Sequence, residues 1–303
     1  MNTAARQKSK KKRDVTTPLD MTKPLLGAHM SIAGGVHMAI ERGCSIDCTA
    51  MQMFVKNNMQ WFARPLTPEE IDTFCSHVQR GRLSSIFAHA NYLINLAATN
   101  PQFHANSMRA LAEELTRADQ LKLPFLVMHP GAHLGAGEQA GLDKIVASID
   151  AVFTIIPKIK TKLALETTAG QGSCLGHRFE HLAYIIERVQ APKRLCVCLD
   201  TAHVFAAGYD ITTEAGTRKM FREFDRIVGL DRLAAIHLND SKASCGSRVD
   251  RHEHIGKGKI GLAAFRFIMR DPRLRRIPKV LETPKEKDMK EDVKNLKTLR
   301  GLL

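Results

Sequence analysis

The amino-acid sequence predicts one (β/α)8 barrel, a TIM-type α/β fold with a metal site at the C-terminal face of its strands. Two observations lead there. From residue 25 onward, eight apolar runs of strand length alternate with stretches of helical periodicity, a pattern that suits a closed barrel better than an open sheet. Six successive runs, the third to the eighth, each end in a side chain that can ligate a metal: His89, His129, Glu166, Asp200, His237 and Glu282. His (13) and Asp plus Glu (31) fill 44 of the 303 positions, so six such ends in succession are far from chance placement. Parallel barrel strands all end at one mouth, which brings these six together although they are spread from position 89 to position 282.

Taken in order, the strand-length runs are 25–28, 50–55, 85–88, 125–128, 162–165, 195–199, 233–236 and 279–281. A helix opens at Thr67-Pro68-Glu69-Glu70, where Thr67 caps, Pro68 suits the first turn and Glu70 completes a capping box. From His104 to Leu121, the residues Met108, Leu111, Ala112, Leu115, Ala118 and Leu121 recur at the helical period and mark one buried face. Further amphipathic stretches follow near 143–156, 177–189, 216–228, 262–270 and 286–300.

Apolar residues make up 44% of the chain, enough for one large core. No apolar run nears the roughly 18 residues of a membrane helix, and the first residues lack the apolar segment of a secretory signal. A soluble, cytoplasmic protein is expected, with no membrane partner. The seven cysteines are odd in number and form no CxxC pair, and Cys196 and Cys198 alternate within an apolar run. Buried free thiols are therefore expected rather than a disulfide framework. The formal charge is +14, of which residues 1–23 carry +5 (seven basic side chains, two acids), leaving +9 for the rest. Such an excess favours a polyanion such as nucleic acid. Residues 1–23, with the run QKSKKKR, are expected to be a disordered basic tail, and residues 24–303 a single barrel domain. The tail suits a nonspecific DNA tether or, in a nucleated cell, a nuclear localisation signal.

Three further ligand types lie just past the strand ends. His203 follows Asp200 by three positions, and Asp250 and His252 flank Arg251 in the Gly- and Ser-rich stretch 237–258. The set of nine holds five His, two Asp and two Glu. One zinc takes about four ligands, so nine imply two or three ions; imidazole and carboxylate without thiolate suit zinc, manganese or iron. Singly, a strand-end histidine is more often a hydrogen-bonded barrel residue, and paired acids can bind a sugar or act as acid and base without metal. Nine at one mouth weigh against both. His37, His77, His104, His177 and His181 fall in helix-like stretches and receive no role. His29, His133 and His254 lie near the mouth and are expected at most to support the ligands.

The stretches HANYLINLA (89–97), MHPGAHLG (128–135), ETTAGQGSCLG (166–176), CLDTAHVFAAGYD (198–210), HLNDSK with GSRVDRHEHIGKG (237–258) and LETP (281–284) resemble the endonuclease IV family of apurinic/apyrimidinic (AP) endonucleases. They occur in family order and at family spacing. The resemblance implies a barrel holding three zinc ions. His89, His129 and Glu166 would hold the first; Glu166 would bridge to a second completed by Asp200, His237 and Glu282; His203, Asp250 and His252 would hold the third. It also implies a DNA-repair hydrolase that cuts the phosphodiester bond 5′ to an abasic site in duplex DNA. The products would be a 3′-hydroxyl and a 5′-deoxyribose phosphate, with Glu166 positioning a metal-bridging hydroxide. Family precedent implies a monomer without an obligate protein partner.

Family members also push mouth-loop side chains into the gap at the missing base, and an abasic sugar costs less to flip than an intact nucleotide. Tyr92 and Leu93 match such a loop, although Tyr92 also suits a partly buried aromatic. The turn Gly170-Gln171-Gly172-Ser173 can bring backbone donors to DNA, with the Gln171 side chain beside them. One position departs from the family. In KNNMQW (56–61) the family loop often carries arginine where this chain has Met59. Methionine can wedge between bases but cannot pair with phosphate, which leaves Lys56 or the tail to supply charge. The span 241–248 is expected to be flexible, with Lys242 and Arg248 turned to phosphate. Two rival readings remain: a metal-dependent sugar isomerase or epimerase on the same barrel, and a DNA-binding protein without catalysis.

Overall fold

The computed structural model describes residues 24–285 and 288–303. Eight parallel strands close into a barrel: β1 (Leu26–Met30), β2 (Ala50–Phe54), β3 (Ser85–His89), β4 (Phe125–Met128), β5 (Lys162–Glu166), β6 (Leu195–Asp200), β7 (Leu233–His237) and β8 (Lys279–Leu281). Each strand pairs with the next in the chain, and β8 returns to β1 with Val280 opposite Gly27. The expected barrel is the one that forms. The tail expected over residues 1–23 lies outside the described residues, as do positions 286 and 287 of the last expected helix.

The helices are α1 (Val36–Ser45), α2 (Pro68–Arg80), α3 (Pro101–Gln120), α4 (Glu138–Ile155), α5 (Phe179–Arg188), α6 (Thr201–Ala207), α7 (Glu214–Ile227), α8 (Leu262–Arg270) and α9 (Lys290–Arg300). Thr67 forms the expected capping box with Glu70. α3 begins three residues before its apolar periodicity, because the Asn100 side chain accepts from the Phe103 amide at 2.9 Å and Pro101 fills the first turn. α6 has no counterpart among the expected helices. It starts directly at a strand end, capped by the Asp200 carboxylate, which accepts from the His203 amide at 2.9 Å.

Strand alternation sorts the side chains into two sets. Ala50, Phe87, Phe125, Val127, Ala164, Cys196, Cys198, Ala235 and Val280 form a core of their own inside the barrel. Their neighbours in sequence, such as Met51, Ala88, Leu126, Leu163, Val197 and Ile236, join the much larger core shared with the helices. Each inner row ends two residues later at the mouth: Phe87 leads to His89, Val127 to His129, Ala164 to Glu166, Cys198 to Asp200, Ala235 to His237 and Val280 to Glu282. An irregularity between β6 and β7 completes this levelling. Val197 pairs with Leu233 but Cys198 pairs with Ala235, so one extra residue on β7 sets His237 opposite Asp200.

All seven cysteines are free, with Cys196 and Cys198 buried as expected. Among the described residues no helix is long and apolar enough to cross a membrane. β1 and β2 approach closely at Gly27, where a Cβ would stand 1.7 Å from the Ala50 carbonyl oxygen. Backbone cannot yield as a side-chain tip can. Gly27→Ala is therefore expected to destabilise the fold by about 3 kcal/mol, through overpacking. A urea midpoint equal to that of the parent chain would contradict this tight approach.

Candidate metal centre at the barrel mouth

The six strand-end ligands and the three beyond them come together at the mouth. His89 Nε2 and His129 Nε2 stand 3.0 and 3.3 Å from Glu166 Oε2. On the other carboxylate oxygen, His237 Nδ1 approaches to 2.9 Å and also lies 3.2 Å from Glu282 Oε2. Glu166, Asp200, His237 and Glu282 form one potential ligand group, and His89, His129 and Glu166 a second, so Glu166 is common to both. The third group joins Asp200, His203 and His252. Asp250 adds to it, 3.2 Å from His203 Nε2 and 3.3 Å from His252 Nε2. Asp200 thus faces two groups rather than the one expected for it.

The tautomers state what the centre lacks. His89 Nδ1 faces the Ala90 carbonyl at 2.6 Å, His203 Nδ1 the Thr167 carbonyl at 2.8 Å, and His252 Nδ1 the Glu282 carbonyl at 3.1 Å. His237 Nε2 faces Gln52 Oε1 at 2.8 Å. Each of these acceptors takes the single N–H of a neutral ring, and the other ring nitrogen then presents a lone pair to a carboxylate. Four such confrontations of acceptor with acceptor need a proton or a cation between them. The buried Nε2 of His252 has no hydrogen-bond partner at all. Imidazole and carboxylate without thiolate suit a divalent metal such as zinc, so these residues fit the group.

A fourth cluster, Glu138, His177 and His181, has a different character. His181 Nδ1 accepts from the Gly176 amide at 3.1 Å, so the neutral ring carries its proton on Nε2, the atom 3.1 Å from Glu138 Oε1. A metal there would require the ring to give up its only proton. His177 Nδ1 faces the Cys174 carbonyl at 3.0 Å, and His181 Nε2 lies buried beside Glu138 without a hydrogen bond of good geometry.

Three buried polar residues that sequence reasoning missed hold the ligands in place. The Gln52 amide donates to Glu282 Oε1 at 2.5 Å and to His29 Nδ1 at 2.9 Å, while its oxygen accepts from His237. Asn239 donates to Asp200 Oδ2 at 2.6 Å and accepts from the Glu282 amide at 2.7 Å. The Thr167 hydroxyl accepts from the Asp200 amide at 2.9 Å. A lone amide within the apolar run of β2 was the available signal for Gln52. His29 supports the ligands as expected; burial pushes its imidazole down to about 4, which keeps it a neutral acceptor. His133 and His254 serve elsewhere, accepting from the Gly137 amide and from Asn295.

The stretch 237–258 is tied down rather than loose. Asp240–Ser241 pairs with His252–Glu253, and the buried Asp240 carboxylate accepts from the amides of Ser241, Gly256 and Ile260. Within the span expected to be flexible, the Gly246 and Arg248 amides donate to Phe205 and Ala206 of α6. Lys242 is half exposed but lies 3.8 Å from Glu253.

Proton chemistry agrees with the geometry. Burial opposes charge at His203 and His237, yet Asp200 with Asp250 and Glu166 carries His203, and Cys198 with Glu282 and Glu166 carries His237, well above the usual imidazole range. Burial likewise opposes ionisation of Glu166 and Glu282, and His237 foremost holds both well below the usual carboxylate range. Asp250, against the same penalty, is brought to about 2 by His203.

A family model described as "Xylose isomerase-like TIM barrel" matches residues 41–299. A protein of Chloroflexus aurantiacus named "Probable endonuclease 4" is 49% identical over 280 residues, spanning 92% of this chain and 98% of its own. The chain belongs to the endonuclease IV family. The crystal structure of endonuclease IV from Thermus thermophilus superposes with a TM-score of 0.82 at 35% identity, over 92% of this chain and 98% of that one. A D-tagatose 3-epimerase-like structure reaches a TM-score of 0.69 at 17% identity, over 91% and 96% of the two chains, a likeness of fold alone.

Around this endonuclease IV-type mouth, the residues expected to meet DNA are placed unequally. Met59 and Tyr92 are the two most exposed large apolar side chains among the described residues, at 74% and 66%. Leu93 is only partly exposed. Gln171 is exposed, but its side-chain oxygen accepts from the Asp250 amide at 2.9 Å, joining its turn to the third ligand group. Lys56 corrects an expectation: it is buried and paired with Glu114 at 2.9 Å, so it supplies no charge to a phosphate.

Two outcomes test the centre. Gln52→Met removes the groups that orient His237 and Glu282, and metal affinity should fall about 10–100-fold, as for comparable supporting residues; a chelator competition giving the parent value would refute that role. Metal capture must also expel the protons held on His203 and His237. Raising the pH removes those protons and favours the metal, and lowering it favours the proton, so affinity should climb from about pH 6 to 8 with protons released to buffer. Binding heats that are identical in buffers of different ionisation enthalpy would contradict it.

Proposed function

We propose that this chain is a DNA-repair endonuclease that hydrolyses the phosphodiester bond 5′ to an abasic site in duplex DNA, leaving a 3′-hydroxyl and a 5′-deoxyribose phosphate. Catalysis belongs to residues 24–303, and the +5 charge of residues 1–23 suits a nonspecific tether. We further infer three zinc ions per chain, a monomer and a cytoplasmic setting. One observation carries the activity: three ligand groups share Glu166 and Asp200, and their unpaired ring nitrogens face carboxylates across the mouth. The names of its relatives support the nuclease class.

Divalent ions held there would neutralise charge on a phosphate and make water acidic enough to attack it at neutral pH. The protein's own part is placement. His89 and His129 belong to one group, Asp200, His237 and Glu282 to the next, and Glu166 offers one carboxylate oxygen to each side. Gln52 and Asn239 fix Glu282 and Asp200 from below. Beside Glu282 opens a cavity of about 570 Å³ lined by His29, Phe54, Tyr92 and Lys285 among others, roomy enough for a flipped sugar phosphate. One wall is aromatic, with the Phe54 and Tyr92 rings edge-on at 5.6 Å. Met59 and Tyr92 are exposed, and Tyr92 lines the cavity itself; both suit the space vacated by the missing base.

The deciding experiment is incubation with a duplex bearing one abasic site, followed by analysis of the product ends. Incision on the 5′ side with a 3′-hydroxyl is expected; an unsaturated sugar end would refute hydrolysis. Glu166→Gln should lower turnover at least about 100-fold while abasic-duplex binding stays within a few-fold of the parent. Undiminished turnover would remove Glu166 from the centre of the reaction.

A further inference from the structure

Beyond the metal centre, the most unusual buried chemistry is an ion pair outside it. Lys56, just past β2, and Glu114, in the middle of α3, meet at 2.9 Å with side chains only 2% and 1% exposed. Their hydrogen bonds go to Gln60, Trp61 and Asn91, none of them a candidate ligand. A buried pair is a poor source of stability, because desolvation offsets most of the attraction, and such pairs are most intelligible when they fix a register. This pair fixes two loops at once.

The Lys56 ammonium donates to the Gln60 carbonyl at 2.7 Å and to the Trp61 carbonyl at 3.0 Å, closing the loop whose tip is Met59. The Glu114 carboxylate turns its other contacts to the loop after β3. It accepts from the Asn91 amide at 3.1 Å and from the Asn91 side chain at 2.5 Å. Asn91 in turn accepts from the Leu93 amide at 2.8 Å, bracing the turn that holds Tyr92. The rest of the same helix face grips the first loop. Arg117 donates to the Val55 and Arg64 carbonyls at 2.9 and 2.7 Å, and Glu113 accepts from the Ala63 amide at 2.9 Å. Trp61 packs edge-on against Phe103, and Arg109 lies over the Phe62 ring.

We propose that Glu114, with Lys56 and Asn91, is a positioning device that sets the two exposed apolar tips, Met59 and Tyr92, at a fixed spacing for substrate. It acts on engagement and not on bond cleavage. This inference rests on the nucleic-acid substrate proposed above for the same mouth; the linkage between the two loops does not. Rigid mounting suits a wedge: a tip held in place loses little conformational freedom on binding, whereas a mobile one would give up affinity to become ordered.

The test uses the full chain with its metals and two variants. Glu114→Gln keeps an acceptor for Asn91 but strands the Lys56 charge; the double variant Lys56→Met with Glu114→Gln removes both charges. Amide hydrogen exchange of the free protein should quicken in both loops, 57–62 and 91–93, in each variant. With an abasic duplex, KM should rise about tenfold while kcat stays within about twofold. The double variant should recover thermal stability lost by the single one, since no lone charge is left buried, yet keep the raised KM. Parental KM in the double variant, or exchange that quickens in only one loop, would overturn the device. A parent chain that neither binds nor cuts the duplex would instead defeat the substrate reading, and the exchange measurement would still decide the coupling of the loops.

Discussion

A carboxylate with no access to water sits among four imidazoles, and the upper half of the barrel depends on that arrangement. Glu166 has His89, His129, His203 and His237 within 3.3 Å of its two oxygens. A lone buried carboxylate would carry a desolvation penalty of several kcal/mol, and it is tolerable only while positive charge stands beside it. That charge can be protons shared with the rings or ions replacing them, and the far ring nitrogens of His89 and His237 are already committed to the Ala90 carbonyl and to Gln52. The hydrogen bonds below the mouth set the ring orientations.

That arrangement is built from strand ends outward. β5 to β8 deliver Glu166, Asp200, His237 and Glu282 at one level, and the extra residue on β7 makes the level possible. His203 arrives by a helix capped by Asp200, so one acid both starts the helix and serves two ligand groups. Asp250 and His252 arrive by a strap held at its base through the Asp240 carboxylate and at its middle through α6. Gly258 lies so close to that carboxylate that a Cβ would stand 2.5 Å from Asp240 Oδ1. Here a Gly-rich segment is compact because its backbone is the filling material.

The barrel and the nine ligand types are legible in the sequence for a plain physical reason. Strand alternation has a period of two, apolar inner residues precede each ligand by that period, and the interval between strands leaves room for one helix each. Gln52 and Asn239 stay hidden because a polar residue beside a ligand has no sequence spacing of its own; only the closed barrel brings β2 within 2.8 Å of His237. Lys56 misleads for a related reason. A lysine in an Asn-rich loop looks solvated until α3, 58 positions along from Lys56 to Glu114, places an acid against it. α6 escapes notice because its apolar pattern is too short to show a period, and its start is a cap that doubles as a ligand.

The fate of Lys56 changes how the Met59 loop can meet a polyanion. Its ammonium is neutralised by Glu114, and the other cation at the loop's end, Arg64, is paired with Glu70 at 2.7 Å. The loop therefore offers apolar surface and backbone, not charge. Phosphate contacts release counterions and weaken steeply with salt, whereas an apolar wedge does not. Of the +14 on the chain, +5 lies in residues 1–23 and the rest is spread over residues 24–303. On the function proposed above, attraction over distance and insertion at close range would be carried by different parts of the molecule. The first would then be screened without disturbing the second, because the loops of Met59 and Tyr92 are tied to a buried pair that salt does not reach.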